Sequence, residues 1–174
     1  MLQLLLLRHA KSAWDDPKAA DRTRPLSRRG ERAAAAIGRA MAERGLAPDL
    51  ILASPARRSL QTLAALAPLP PSTRIETPEA LYLAEAETLL AVLRELPNQV
   101  TSVLAIGHNP GLHELAVKLA GAGAERPDVL RLAQSFPTAA LAEFALNGRW
   151  ADLGRRPSRL VRFLLPRDLP ELAA

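Results

Sequence analysis

Short apolar runs alternate with amphipathic stretches along most of this chain, and this alternation limits the folds that it can adopt. Residues 2–7 form an uninterrupted apolar run before Arg8, as expected of a strand buried on both faces of a parallel sheet. Residues 50–53 and 103–106 have the same character. Strands that alternate with helices predict an α/β fold, here a single three-layer αβα sandwich with a mostly parallel central sheet.

Helix signals follow these apolar runs. Ser27 is predicted to cap a helix that ends at Gly45. Ser54-Pro55 and Asn109-Pro110 are each predicted to supply an N-cap and a first helical residue. The helix after Pro55 is predicted to bury Leu60, Leu63 and Ala67, and the one after Pro110 to bury Leu112, Leu115, Ala116 and Leu119. The remaining predicted elements are a helix at about 86–96, a loop at 121–137 and strands at 140–146 and 160–165.

Length and composition limit the organisation of the chain. The 174 residues, 48% hydrophobic and 24% charged, fit one domain that spans 1–174. The absence of cysteine removes disulfide and thiolate chemistry and is compatible with a reducing compartment. The first apolar run is too short for a membrane span and lacks the basic segment of a signal peptide. The cytoplasm, with no membrane association, is therefore the expected location.

The charge pattern favours anionic ligands. The formal net charge is +5 and Arg far outnumbers Lys, which suits bidentate recognition of phosphate or carboxylate. With only 3% aromatic residues, the chain offers little stacking surface for single-stranded nucleic acid, which argues against that partner. The C-terminal arginines are predicted to be solvated charges, with docking of an acidic protein as the alternative: Arg155, Arg156, Arg159, Arg162 and Arg167.

Charged residues collect where the predicted strands end. Arg8 and His9 follow the first strand, Arg57 lies in the first turn after the second, and His108 precedes the Asn109-Pro110 cap. The carboxyl ends of parallel strands meet at one crevice, and helix N-termini add partial positive charge there. These residues are therefore predicted to form one phosphate site.

The segment Leu6-Leu7-Arg8-His9-Ala10-Lys11-Ser12 resembles the N-terminal signature of the histidine phosphatase (phosphoglycerate mutase-like) superfamily, most of all its SixA-type phosphohistidine phosphatases. Ala10 stands where the superfamily usually has Gly, which is similar to the SixA-like branch and argues against a mutase. The resemblance continues, in order and over most of the chain, through Arg24-Pro25-Leu26-Ser27 with Gly30, Ser54-Pro55-Ala56-Arg57 with Gln61-Thr62, Gly107-His108-Asn109-Pro110-Gly111, and Pro137-Thr138-Ala139-Ala140.

The resemblance implies that His9 is a phosphorylated nucleophile and that Arg8, Arg57 and His108 hold the phosphoryl oxygens. A neutral imidazole is a competent nucleophile near neutral pH, and two guanidinium groups with a second imidazolium can neutralise the oxygens of an in-line transfer. The expected enzyme is thus a metal-independent phosphatase that needs no cofactor.

Two further sets of residues have more than one possible role in this interpretation. Members of the superfamily that act on phosphate esters use a carboxylic acid, for which Glu79 is the best-placed candidate, with a plain surface role as its alternative. Glu76, Glu85 and Glu87 compete with Glu79 for that role. Lys11, Ser12 and Arg24 are expected to contact phosphate or the substrate, although Arg24 could instead brace its loop and Ser12 cap a turn.

No metal site is predicted. Asp15 and Asp16 lie near the histidines in sequence, but no ligand spacing is recognisable. His113 is predicted to be an ordinary residue on a helix surface.

The expected substrate is a phosphohistidine in a protein. Few residues separate the second catalytic helix from Glu79, so no cap is expected to cover the site and a protein surface could enter. A phosphatase of small phosphate esters is the alternative. From a different class, a non-catalytic phosphate- or nucleic-acid-binding module would explain the arginines but leave His9 without a role.

Overall fold

The computed structural model describes residues 1–14, 18–121 and 126–172, and within these ranges a six-stranded sheet has the order β3-β2-β4-β1-β5-β6. Strand β5 is antiparallel to both of its neighbours, whereas the other pairs are parallel. The predicted α/β class with a mostly parallel sheet is confirmed. The strands are β1 (Leu2–Arg8), β2 (Leu50–Ala53), β3 (Arg74–Glu76), β4 (Ser102–Gly107), β5 (Leu141–Leu146) and β6 (Ser158–Leu164).

Helices cover both faces of this sheet. Side chains alternate between the two faces of a strand, so Leu4 and Leu6 of β1 belong to one hydrophobic cluster and Leu5 and Leu7 to the other. The first cluster includes α3, α4 and α5, and the second includes α1 and α2. The helices are α1 (Arg28–Glu43), α2 (Arg57–Ala65), α3 (Ala86–Arg94), α4 (Gly111–Ala120) and α5 (Pro127–Gln134). Within the described ranges, no helix combines the length and apolarity needed to cross a bilayer.

Helix α1 has the predicted signals at both ends. The hydroxyl of Ser27 accepts a hydrogen bond from the backbone N–H of Gly30 at 3.1 Å, which satisfies one of the free donors of the first turn. Gly45 follows the helix with φ +64°, a conformation that glycine adopts without steric cost.

Helix α2 starts later than predicted and buries a different face. It begins at Arg57 with Ala56 as its N-cap, so Ser54 and Pro55 precede it. Leu63 is buried as expected, but Leu60 is 39% exposed and Ala67 lies beyond the helix end. Ser59, Thr62, Leu63 and Leu66 face the core instead, a spacing of three and four residues that rotates Leu60 outward.

The predicted loop at 121–137 contains α5, which is a correction. Val129 and Leu132 of α5 are buried, and Gly121 ends α4 with φ +63°. The four residues predicted to be buried in α4 are all buried, although the helix begins at Gly111 rather than at Pro110. Strand β3 was not predicted, because all three of its residues are exposed and an exposed edge strand leaves no apolar pattern.

One C-terminal arginine departs from the predicted solvated role. Nε of Arg162 on β6 lies 2.5 Å from Oε2 of Glu143, which is a buried residue of β5. Gln3 of β1 donates a hydrogen bond to the other oxygen of Glu143 at 2.8 Å. Arg162 therefore compensates a buried charge on the sheet.

Candidate active site

The strand ends bring the predicted residues to one edge of the sheet. Arg8 of β1 lies opposite Gly107 of β4, and Ala53 of β2 lies opposite Ile106, so the residues that follow these strands are neighbours. A pocket of about 290 Å³ opens there. Of the predicted site residues, those that line the pocket are Arg8, His9, Lys11, Ser12, Arg24 and His108.

The ring of His9 is fixed by a hydrogen bond at Nδ1, which leaves its Nε2 free of the backbone. Its Nδ1–H donates to the carbonyl of Ala10 at 2.8 Å, so Nε2 keeps its lone pair. The ring is 8% exposed. Burial lowers the pKa of His9, and the positive charges of Arg58, Arg8 and Arg24 lower it further, to about 4 despite the bond to Ala10. His9 is therefore a neutral imidazole at pH 7.

The backbone around His9 is held from three sides. The N–H of His9 donates to the carbonyl of Gly107 at 3.1 Å, and that of Ala10 donates to the hydroxyl of Thr62 at 3.0 Å. Ala139, at φ +59°, donates its N–H to the carbonyls of Arg8 and His9. A left-handed alanine is unusual, and here it fixes the turn that carries His9.

Arg58, not Arg57, lies in the pocket, which corrects the sequence prediction. Arg58 is 2% exposed, and its Nε donates to Nε2 of His9 at 3.3 Å. Arg57 is exposed on a separate surface groove beside Leu60. The reason is the rotation of α2 about its axis. Because residues three apart share a helix face, Arg57 lies on the exposed face with Leu60, and Arg58 lies on the buried face.

His108 is held in the opposite tautomer from His9. Its Nδ1 accepts from Nη2 of Arg58 at 3.2 Å, so its Nε2–H donates to the hydroxyl of Ser54 at 2.6 Å. Burial lowers the pKa of His108, and repulsion from His9 and Arg58 lowers it further, to about 3. Because both causes oppose protonation, the structure favours a neutral His108, a protonation state that the sequence leaves open.

Two more guanidinium groups contribute to the pocket. Nη1 of Arg8 donates to the carbonyl of Phe136 at 3.0 Å, and burial lowers its pKa. Arg24 is 8% exposed, and its Nη2 donates to Asp21 at 2.5 Å. Nε of Arg8 and both Nε and Nη1 of Arg24 are buried and make no hydrogen bond with the described residues. These groups can therefore donate to an anion in the pocket.

Lys11 and Ser12 line the pocket, and their backbone connects the pocket to the start of α1. The carbonyl of Lys11 accepts from the N–H of Ser27 at 2.9 Å, and Ser12 forms an isolated bridge with Leu26. A Cβ on Gly30 would lie 2.1 Å from the carbonyl oxygen of Lys11, so only glycine fits at position 30. Arg24 both braces its loop through Asp21 and lines the pocket.

Asp21 is the only carboxylate of the described residues that lines the pocket. It accepts hydrogen bonds from Tyr82 at 2.7 Å and from Nη2 of Arg58 at 3.0 Å. Burial raises the pKa of Asp21, but the bonds from Tyr82 and Arg58 outweigh that effect and lower it to about 2. Asp21 is thus an ionised anchor for Arg58 and Arg24, and a poor proton donor.

Glu79 does not lie in the pocket, contrary to its proposed role as the acid. Its side chain is 72% exposed, and its carboxylate accepts hydrogen bonds from both terminal nitrogens of Arg22, at 2.8 and 2.5 Å. The hydrogen bond from Arg22 lowers the pKa of Glu79, which disfavours proton donation. The three competing glutamates also lie outside the pocket lining, namely Glu76, Glu85 and Glu87.

The possible metal ligands that the structure describes are not grouped into a site. Among the described residues, no three His, Asp or Glu side chains are grouped so that they could hold a metal ion. Asp15 and Asp16 lie outside the described residues. His113 is more than a surface residue, because its Nε2–H donates to the carbonyl of Leu132 on α5 at 2.7 Å.

Sequence reasoning missed several residues of the pocket lining: Trp14, Asp21, Arg58, Leu83, Asn109 as a side chain, and Thr138. It also missed the bond between Ser54 and His108, because Ser54 was interpreted as a helix cap. The helical spacing of Thr62, Leu63 and Leu66 was the signal that could have identified Arg58. No local pattern marks Asp21 or Leu83, which reach the pocket only through the tertiary fold.

Comparisons with known proteins identify the family of this chain. Residues 4–82 match the family model of the histidine phosphatase superfamily (branch 1). The solved structure of the proposed phosphohistidine phosphatase SixA of Agrobacterium tumefaciens is 34% identical, with 95% of this chain and 98% of that chain covered and a TM-score of 0.80. The corresponding protein of Nakamurella multipartitia is 29% identical, with 95% and 96% covered and a TM-score of 0.82.

A third solved structure is that of the protein histidine phosphatase SixA complexed with tungstate, which is 25% identical, with 97% of this chain and 99% of that chain covered and a TM-score of 0.77. The present chain belongs to the histidine phosphatase superfamily, in its SixA type. Its class of activity is accordingly that of a phosphatase.

Proposed function

We propose that this protein removes the phosphoryl group from a phosphorylated histidine of another protein, through a phospho-His9 intermediate and without a metal. The observation that carries the proposal is the tautomer of His9. Its Nδ1–H is engaged by Ala10, which leaves Nε2 unprotonated at the floor of an arginine-lined pocket. We also propose that residues 1–174 act as one cytoplasmic domain.

The first step is an in-line transfer. Nε2 of His9 attacks phosphorus, the bond between phosphorus and the substrate imidazole breaks, and that imidazole leaves. Arg58 exchanges its bond to His9 for bonds to the phosphoryl oxygens, together with Arg8 and Arg24. Three guanidinium groups placed before the reaction can neutralise charge on these oxygens without reorganisation, which is the role a metal ion has in other phosphatases.

The second step is hydrolysis of phospho-His9. Water attacks phosphorus from the side that the substrate imidazole left, and the bond from phosphorus to Nε2 breaks. The imidazole of His9 takes back its electron pair and stays neutral, while phosphate leaves as the monoanion with both protons of the water. The low pKa of His9 supports this cycle, because the free nucleophile stays unprotonated at neutral pH.

The carboxylate arrangement supports phosphohistidine over an ester as the substrate. An ester needs a proton on its departing oxygen, but Asp21 is held ionised and Glu79 lies outside the described pocket lining. The imidazole of a phosphohistidine can carry a proton on its other ring nitrogen and leave as a neutral molecule. Because the described residues that line the pocket include no suitable acid, the site favours phosphohistidine over an ester.

The dimensions of the site also support a protein substrate. The pocket volume of about 290 Å³ equals roughly ten water molecules at about 30 Å³ each, enough for a phosphoryl group and part of an imidazole. Residues 66–78, which join α2 to the segment at Glu79, form only β3 and turns. No described element there covers the pocket mouth.

The test is phosphate release from a histidine-phosphorylated protein, a phosphoserine peptide and an aryl phosphate, in the presence of a chelator. Wild type, His9→Gln and His113→Gln are compared, the last as a control because His113 lies away from the pocket. We expect wild type and His113→Gln to prefer phosphohistidine and His9→Gln to be inactive. Rapid quenching should trap an acid-labile phosphoryl group on the wild type and on His113→Gln, but not on His9→Gln.

Each alternative outcome has a distinct meaning. Turnover by His9→Gln at the wild-type rate contradicts the nucleophile, and loss of activity in chelator contradicts metal independence. A clear preference for the aryl phosphate moves the substrate to small esters. Binding of phosphate without turnover of any substrate would indicate the non-catalytic module.

A further inference from the structure

Two exposed apolar side chains border the phosphate pocket. Trp14 is 72% exposed and Leu83 is 52% exposed, and both line the pocket. Apolar side chains scattered singly over a surface are normal, but two at the mouth of one polar pocket are typical of a binding surface.

The backbone holds Leu83 in a conformation that leucine rarely adopts, with φ +50°. Before it, Tyr82 is anchored, because its hydroxyl donates to Asp21 and its ring lies edge-on to His108 at 5.8 Å. After it, the carbonyl of Ala84 packs against Gly111, where a Cβ would lie 2.0 Å from that oxygen. Leu83 is thus held on one side by the site and on the other by the start of α4, and such strain is found at ligand contacts.

Trp14 is oriented by the pocket as well. The guanidinium carbon of Arg24 lies 3.6 Å from the centre of the Trp14 ring, a distance at which the cation attracts the face of the ring. Arg24 covers part of this ring, and the remainder stays open to solvent. The ring is therefore a flat apolar surface beside the phosphate site.

We propose that Trp14 and Leu83 form an apolar rim that binds the residues next to the phosphohistidine in the substrate protein. This inference rests on the proposed function and names its preferred substrates, which are phosphohistidines with apolar neighbours. The charged residues of the pocket bind the phosphoryl group, and the apolar rim contacts apolar side chains of the substrate that would otherwise be exposed to water. A substrate with hydroxyl groups around its phosphoryl group would leave the rim uncovered.

The test uses two histidine-phosphorylated peptides that differ only at the positions flanking the histidine, with leucine in one and serine in the other. We expect the wild-type kcat/KM to be about tenfold higher for the leucine peptide. Leu83→Ala and Trp14→Ala should each lower this ratio at least about threefold. A merely structural defect lowers both rates and leaves the ratio unchanged.

Conservative and distant variants are the controls. Leu83→Met and Trp14→Phe keep apolar area at the rim and should retain the preference. Leu130→Ala removes a leucine of similar exposure, 49%, on α5, and should leave the ratio at its wild-type value. Equal kcat/KM values in the wild type, or a preference that survives both alanine variants, overturn the proposal.

Failure of the proposed function has a different signature, since neither peptide is then hydrolysed. In that case, calorimetric binding of the two peptides to His9→Gln decides the matter. Tighter binding of the leucine peptide than of the serine peptide, and loss of this difference when Leu83→Ala is added to His9→Gln, supports the apolar rim. Equal binding of both peptides to His9→Gln overturns it.

Discussion

Nε of Arg58 lies 3.3 Å from Nε2 of His9, so a buried guanidinium group faces the nitrogen that we propose as the nucleophile. The same guanidinium group reaches Nδ1 of His108 at 3.2 Å and Asp21 at 3.0 Å. Arg58 therefore connects both pocket histidines with the one carboxylate that lines the described pocket. In the proposed reaction, the phosphoryl group replaces the hydrogen bond between Arg58 and His9.

Replacing Arg58 should affect catalysis far more than replacing its neighbour. We expect Arg58→Ala to lower kcat/KM for a histidine-phosphorylated protein at least about 100-fold, because a charge-assisted contact to the phosphoryl group contributes about 3 kcal/mol. Arg57→Ala, on the exposed face of α2, should stay within about twofold of wild type. Equal losses of kcat/KM in the two variants would contradict the placement of Arg58 on the buried face of α2 and Arg57 on its exposed face.

Ser54 should act through the tautomer of His108. Ser54→Ala removes the acceptor of the His108 Nε2–H, and we expect kcat to fall about tenfold. Nitrogen-15 spectra of the imidazoles should show His108 losing its single tautomer, and Ser54→Thr should restore both properties. Ser59→Ala is the matched control, because the Ser59 hydroxyl is buried but makes no hydrogen bond with the described residues. An unchanged spectrum in Ser54→Ala would remove Ser54 from this role.

The two carboxylates should differ in the same assay. Asp21→Asn weakens the anchor of Arg58 and Arg24, so we expect kcat/KM on phosphohistidine to fall about tenfold or more. Glu79→Gln breaks only an exposed ion pair with Arg22 and should change the rate less than about twofold. A large loss in Glu79→Gln on an aryl phosphate, with a shift of the basic limb of the pH profile, would restore Glu79 as an acid.

The stability of the fold should decrease as the pH falls below 6.5. The unfolded chain protonates its histidines near pH 6.5, whereas the pKa values of His9 and His108 in the folded protein are about 4 and about 3. Stability present above pH 6.5 is therefore lost progressively toward pH 4, because the unfolded state binds more protons. Between pH 7 and pH 5 the loss is about 2 kcal/mol for each histidine.

Urea denaturation at pH 7 and pH 5 measures this loss. His9→Gln combined with His108→Gln should abolish most of it, and His113→Gln should not. Asp21 does not contribute to the change between pH 7 and pH 5. Its pKa is 3.8 in the unfolded chain and about 2 in the folded protein, so its effect on stability begins only near pH 3.8. A pH dependence that persists in the double variant would assign it to other groups.

Much of the fold could be predicted because local physical rules determine it. The apolar run of β1, the Ser27 cap and the stripe of α4 all depend on residues within a few positions of one another. Strand β3 and helix α5 were not predicted for the opposite reason. The exposed residues of β3 carry no pattern, and the short helix α5 is recognisable only by the cluster that Val129 and Leu132 join.

The site shows the same division. Arg8, His9 and His108 were predictable because each lies at the end of a strand or directly after it, and the carboxyl ends of parallel strands meet. Arg58 required the rotation of α2, which the core around Leu63 and Leu66 sets. Asp21 could not be predicted from its neighbours in sequence, because its partners Arg58 and Tyr82 lie 37 and 61 residues away.

The sequence by itself determined the class of fold, the order of most elements and the chemical type of the site, because strand ends, helix caps and the identity of the side chains are local properties. The tertiary structure alone decided which arginine enters the pocket, which nitrogen of each histidine carries the proton, and that Glu79 pairs with Arg22 on the surface. These outcomes depend on burial and on contacts between distant segments, and only the first of them has a local signal, the spacing of Thr62, Leu63 and Leu66.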